Sequence, residues 1–197
     1  MIIRKLFKMN GMHIVRNCSS DRCKKSLHSH NYTVEIKLKA NVVDNGQMVV
    51  DFGLLKGTMG LVVKCFDQSY SMWDRETIEF KHFIDKNFSR YVIMPASPSA
   101  EMYSLMFYAI CKEILNHTEF QNGESPKLHS VMVHETITGY AESFEEDYQN
   151  IWLPNYKLKD IIFSEGIIEE WKDKEFWNKL LNSNEKFIKN PIVKLTH

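Results

Sequence analysis

The stretch His28-Ser29-His30-Asn31-Tyr32-Thr33-Val34-Glu35-Ile36-Lys37-Leu38-Lys39-Ala40 decides the fold of this chain. From Tyr32 onward polar and apolar side chains alternate almost strictly, the period of a strand with one buried and one wet face. Residues i and i+2 of a strand point the same way, so His28 and His30 at its mouth reach one point. A sheet offers two nitrogen ligands to one metal ion in this manner. His13 stands upstream, at the end of another short apolar segment, and Cys23 lies between them. Three imidazoles with a fourth position open are the donor set of a catalytic zinc; a structural site would be closed and richer in thiolates. A lone His-x-His pair is as often a polar strand face, and a lone His13 more often a satisfied polar residue. The three together carry the metal reading.

Working outward, residues 1–9 and 12–16 read as strand around a break at Asn10-Gly11, and 17–26 as a loop. Asp44-Asn45-Gly46 is a turn signal, with Met48-Val49-Val50 as a short returning strand. Asp51 is a helix cap, and Phe52, Leu54, Leu55, Met59, Val62, Val63 and Phe66 follow at helical spacing. Residues 67–97 read as loop-rich, with a helical turn around Thr77–Phe88. A second helix starts with Ser97 as cap, Pro98 at its first position and Glu101 in its first turn, and runs to about Asn116. Val131 and Val133 alternate with their neighbours up to Glu135, and Thr138-Gly139-Tyr140-Ala141 turns into a last strand.

The order strand, strand, helix, helix, strand, strand implies an α+β domain, an antiparallel four-stranded sheet with both helices on one face. That domain occupies 1–150. Residues 151–197 are a polar extension, mostly helical, with Trp171, Trp177 and Leu180 forming one stripe between Glu169 and Lys189.

Lys+Arg and Asp+Glu both number 25, so net charge gives no support to wholesale binding of nucleic acid or membrane surfaces. No apolar run approaches the ~20 residues of a membrane span, and the start lacks the apolar region of a signal peptide. Four cysteines in 197 residues do not make a disulfide scaffold. The expected compartment is the reducing cytoplasm, where a thiol is free for chemistry.

These motifs resemble one family. A histidine closing the first strand, a cysteine-bearing loop, His-x-His-Asn-Tyr, Met48-Val49-Val50-Asp51-Phe52, Pro98-Ser99-Ala100-Glu101 and Glu135-Thr136 follow in the order of the 6-pyruvoyl-tetrahydropterin synthases. The similarity covers roughly residues 1–145. It looks nearest to the bacterial branch that makes 6-carboxy-tetrahydropterin for queuosine and other deazaguanines.

The resemblance implies a tunnelling fold (T-fold) and a zinc enzyme acting on 7,8-dihydroneopterin triphosphate. His13, His28 and His30 would be the metal ligands and Cys23 the catalytic thiol, with Cys18 as the alternative. Glu135 would anchor the pterin, Glu101 would lie nearby, and Asp67 would belong to the proton relay. It further implies several copies, commonly six, with active sites at subunit boundaries. A carboxylate accepting two parallel N–H bonds suits the amino-pyrimidinone edge of a pterin, and Arg16, Arg22, Lys24 and Lys25 could meet a triphosphate. Cys65 and Cys111 sit in apolar helical contexts and read as core. His82, His117 and His129 read as surface residues, and His134 alternates away from Glu135.

The chain departs from the family pattern at two places. Ser29 replaces the glycine of His-Gly-His, and Gln68 stands where the family has the histidine of an Asp-His pair. Glutamine hydrogen-bonds but does not titrate near neutral pH, so it cannot serve as general acid or base. That leaves three readings open: the 6-carboxy product, the 6-pyruvoyl product, or a pterin-binding homologue without turnover.

Overall fold

The computed structural model describes residues 1–120 and 125–190. Strand β1 (Ile2–His13) runs unbroken through Asn10-Gly11 and pairs along its whole length with β2 (His28–Lys39), antiparallel. The glycine is there for space, not for a turn. A Cβ at Gly11 would lie 3.2 Å from the Tyr32 ring, closer than packed carbons normally sit. The register sets His13 opposite His28 and Gly11 opposite His30. Three imidazoles thus gather at one end of a hairpin. Between the strands lies a short helix α1 (Asp21–Lys25), where the sequence suggested an irregular loop.

A helical run α2 follows, made of Phe52–Leu54, a π-helical turn Leu55–Met59 and Gly60–Cys65. Asp51 caps it as expected, its carboxylate accepting from Gly53 N at 2.6 Å. Met48, Val49 and Val50 form no strand; Val49 and Val50 are buried in the core instead. The stretch read as loop-rich holds two further strands, β3 (Ser69–Trp73) and β4 (Tyr91–Met94). Helix α3 (Ile78–Asn87) lies between them, capped by Thr77.

Helix α4 (Ala100–Asn116) begins two residues later than expected. Its cap is Ser99, whose hydroxyl accepts from Met102 N, and Pro98 stays outside the helix. Every residue of α4 from Tyr103 to Cys111 is buried, because the sheet packs on one side and the C-terminal segment on the other. The order continues with β5 (Thr118–Glu119), β6 (Lys127–His134) and β7 (Tyr140–Ser143).

The main sheet has seven strands, ordered β7-β6-β2-β1-β3-β4-β8, where β8 is Ile162–Phe163. The expected antiparallel block of four is intact as β7-β6-β2-β1. Strands β3 and β4 extend it in parallel, and β8 closes the far edge antiparallel to β4. Parallel pairing needs a crossover, and α3 supplies the one between β3 and β4.

Past residue 150 the chain holds short helices α5 (Glu165–Glu169) and α6 (Phe176–Asn182) and a two-residue strand β9 (Ile188–Lys189) paired with β5. One long helix from Glu169 to Lys189 does not form. Trp152, Phe163, Ile167, Trp171 and Leu180 nevertheless join the same core as α4. Residues 191–197 of the expected extension lie outside the described residues.

Candidate active site

His13 is fully buried at the end of β1. Its Nδ1 lies 2.6 Å from the carbonyl oxygen of Pro98. A carbonyl only accepts, so Nδ1 carries the proton and Nε2 presents its lone pair to His28 and His30. Burial pulls the His13 pKa down to about 4; the Pro98 contact opposes this, and the neighbouring imidazoles reinforce it. The ring is neutral at pH 7, the form a metal requires. His28 is fixed in the same sense, its Nδ1 donating to Ser26 O at 2.9 Å.

One ligand atom from each of the three histidines lies within 4.8 Å of the others. Two of the rings have their far nitrogens tied to backbone carbonyls, the arrangement that orients metal-bound imidazoles. The donor set fits a divalent metal with an open position.

A cavity of about 340 Å³ opens over this cluster, lined by His28, His30, Cys18, Cys23, Glu101 and Glu135 among others. Cys23 sits on α1, and its carbonyl accepts from Val15 N at 3.1 Å, which draws the thiol-bearing turn against the end of β1. Cys18 lines the same wall, so geometry alone does not separate the two thiols. Glu101, in the first turn of α4, is exposed at the rim. Glu135 follows β6 directly and reaches inward. Its Oε1 is 3.7 Å from His13 Nε2 and 3.8 Å from His30 Nε2.

The remaining sequence candidate is elsewhere. Asp67 Oδ1 accepts from the backbone and side-chain amides of Asn10, at 2.8 and 3.3 Å. Asn10 is exposed and lies three residues, about 10 Å, back along β1 from His13. Asp67 is not among the residues lining the cavity of its own chain. Gln68 beside it is exposed and has a left-handed backbone, φ 50°.

Arg16 is engaged within the chain: its guanidinium is held by both carboxylate oxygens of Glu76, at 2.6 and 3.0 Å, and stacks on Phe80. Arg22, Lys24 and Lys25 are exposed on α1.

Among the other histidines, His134 points to the opposite face of the sheet, bonded to Glu35 at 3.0 Å, as its alternation implies. His117 is not a surface residue; it is 8% exposed, with Nδ1 on Glu185 O.

Two residues of the site escaped sequence reasoning. Tyr32, 1% exposed, has its phenol oxygen 3.2 and 3.4 Å from the two nitrogens of His13 and donates to Glu135 Oε1 at 3.3 Å. Burial pushes its pKa far above the usual phenol range. Tyr103, fully buried on α4, stacks on the His13 ring at 6.5 Å. The signal for Tyr32 was present, since the two-residue period that aligns His28 with His30 also aligns Tyr32. Nothing local marks Tyr103, because a tyrosine in a buried helix reads as core.

A hairpin that gathers three imidazoles beneath a carboxylate and a thiol, in the antiparallel block of a mixed sheet backed by two helices, defines a T-fold pterin synthase. The family model for 6-pyruvoyl tetrahydropterin synthase matches residues 2–146, and the chain belongs to that family. Relatives from two strains of Helicobacter pylori, both named 6-carboxy-5,6,7,8-tetrahydropterin synthase, are each 43% identical over 187 residues, 92% of this chain and 92% of theirs.

Solved structures agree on the fold. An uncharacterised protein from Wolinella succinogenes superposes with a TM-score of 0.61 at 16% identity, covering 74% of this chain and 98% of its own. The 6-pyruvoyl tetrahydropterin synthase of Caenorhabditis elegans gives 0.51 at 19%, covering 73% and 94%. Among the described residues no helix is long and apolar enough to cross a membrane.

Proposed function

We propose that the protein is a zinc-dependent 6-carboxy-5,6,7,8-tetrahydropterin synthase. It would convert 7,8-dihydroneopterin triphosphate to 6-carboxy-tetrahydropterin, acetaldehyde and triphosphate, a step toward queuosine in the cytoplasm. The convergence of His13, His28 and His30 beneath a cavity that also holds Cys23 and Glu135 carries this reading. The name shared by both Helicobacter relatives favours the 6-carboxy product over the 6-pyruvoyl one.

In this account the three histidines hold the metal, which when bound would supply Lewis acidity toward the vicinal hydroxyls of the substrate side chain. Cys23 Sγ removes a proton from that side chain. The Glu135 carboxylate accepts the paired N–H groups of the pterin, and loss of that partner would leave donors unsatisfied at a cost of about 1–3 kcal/mol. Glu101 borders the substrate at the rim.

Asp67 enters only through a second copy. It lies beside Asn10 and away from the Cys23 cavity of its own chain, so a relay between the two residues requires a site built at a subunit boundary. The outer edge of β1 favours such assembly: among the described residues β3 pairs with it only at Gly11–His13, and Ile2–Met9 has no strand partner on that side. A homohexamer is the expected form. Mass spectrometry of the products that zinc-loaded protein makes from 7,8-dihydroneopterin triphosphate tests the function. The 6-carboxy compound with acetaldehyde supports it, the 6-pyruvoyl compound replaces it with the related lyase, and no turnover supports a binding homologue.

A further inference from the structure

Glu135 is held in a position that pterin anchoring alone does not explain. A carboxylate waiting to accept two N–H bonds from a ligand would turn both oxygens to the cavity. Here Oε1 turns inward to the histidines, although a third of the side chain remains exposed. The turn after β6 fixes its root, with Glu135 N donating to Gly139 O at 3.1 Å. Tyr32 fixes its tip: the phenol sits between the two nitrogens of His13, one already donating to Pro98 and the other facing the ligand cluster. Its proton therefore goes to Glu135 Oε1.

The distances lie within reach of coordination. With zinc–ligand bonds of about 2.0–2.1 Å, neighbouring donors of a tetrahedron lie about 3.3 Å apart. Oε1 stands 3.7 and 3.8 Å from His13 Nε2 and His30 Nε2, and the three histidine ligand atoms lie within 4.8 Å of one another, so a contraction of all four groups around one ion would set Oε1 at the fourth corner. A ligating carboxylate is itself hydrogen-bonded by a neighbouring group, and Tyr32 supplies that bond.

We infer that Glu135 is the fourth ligand of the metal in the substrate-free protein, positioned by Tyr32, and that an arriving pterin draws it away and opens the coordination position. The inference rests on the three-histidine centre and pterin site proposed above. It gives one carboxylate two successive partners, so that the metal is open to the substrate side chain only when the pterin ring is seated.

The test is metal binding, independent of turnover. Metal-stripped natural protein, Glu135→Gln, Tyr32→Phe and His28→Ala are titrated with zinc against a chromophoric chelator, and the cobalt(II)-loaded forms are examined by visible absorption. Glu135→Gln should bind zinc at least tenfold more weakly and have an altered cobalt spectrum. Tyr32→Phe, which keeps the ring and removes only the hydroxyl, should weaken zinc in the same direction by a smaller factor. Adding 7,8-dihydroneopterin to the natural cobalt protein should move its spectrum toward that of Glu135→Gln. Unchanged affinity and spectrum in Glu135→Gln, with metal lost in His28→Ala, would overturn the inference and leave the centre standing. Failure of the natural protein to bind zinc would instead overturn the centre.

Discussion

Nδ1 of His13 donates to the carbonyl oxygen of Pro98 across 2.6 Å, a contact between the end of β1 and the residue just before the cap of α4. Because the acceptor is backbone, the segment leading into α4 sets the tautomer of the buried His13. Pro98 stays outside the helix, where its carbonyl is free of the helical ladder.

The cluster gives a direct expectation for metal content. Elemental analysis should find about one zinc per chain in the natural protein and little in His28→Ala. His134→Ala, on the other face of the sheet, should keep its zinc. Full zinc in His28→Ala would remove the site from consideration.

The four thiols should divide into two pairs. Cys18 and Cys23 are partly open and line the cavity, whereas Cys65 and Cys111 are buried. Burial pushes the Cys65 thiol up to about 12, and that of Cys111 higher still. A thiol reagent on the native protein should therefore label two cysteines of four, counted by intact mass. Cys23→Ala should abolish turnover with zinc retained, and Cys18→Ala should not. The reverse pattern would make Cys18 the base.

Gln68 stands where the resemblance implies the histidine of an Asp-His pair. Its left-handed backbone, φ 50°, is one that histidine tolerates better than most side chains do. Restoring a titratable ring with Gln68→His should raise turnover by a factor of roughly 10²–10⁴ and leave zinc content unchanged. Equal turnover in the two proteins would show that the proton relay runs through other residues.

The hairpin was legible because a strict two-residue alternation marks a strand with one buried face and carries its histidines with it. The shortness of β3 and β4 hid them. Ser69–Trp73 shows no alternation, being buried on both faces, and a run of five residues gives periodicity little to work on. Gly11 misled because a glycine beside an asparagine looks like a turn, whereas the Tyr32 ring across the sheet required it. Asp67 shows the limit most clearly. Its place in the motif order suggested a partner for Cys23, but the chain sets it beside Asn10, outside the cavity that Cys23 lines.

The C-terminal segment should matter for stability. Trp171 is 4% exposed, and its indole N–H lies 3.3 Å from Cys65 Sγ at the end of α2. Arg90 joins the same place, donating to Lys64 O and Asp67 O and pairing with Glu170. Trp171→Ala should cost about 3–5 kcal/mol in urea unfolding. A loss below 1 kcal/mol would show that the segment packs too loosely to support the fold.

The central claim is that one zinc on three histidines supports turnover. Metal-stripped protein is titrated with zinc while consumption of 7,8-dihydroneopterin triphosphate is followed. Activity should be absent at first, rise linearly and break at one zinc per chain. Full activity in the stripped protein, or none at any zinc ratio, would contradict the account.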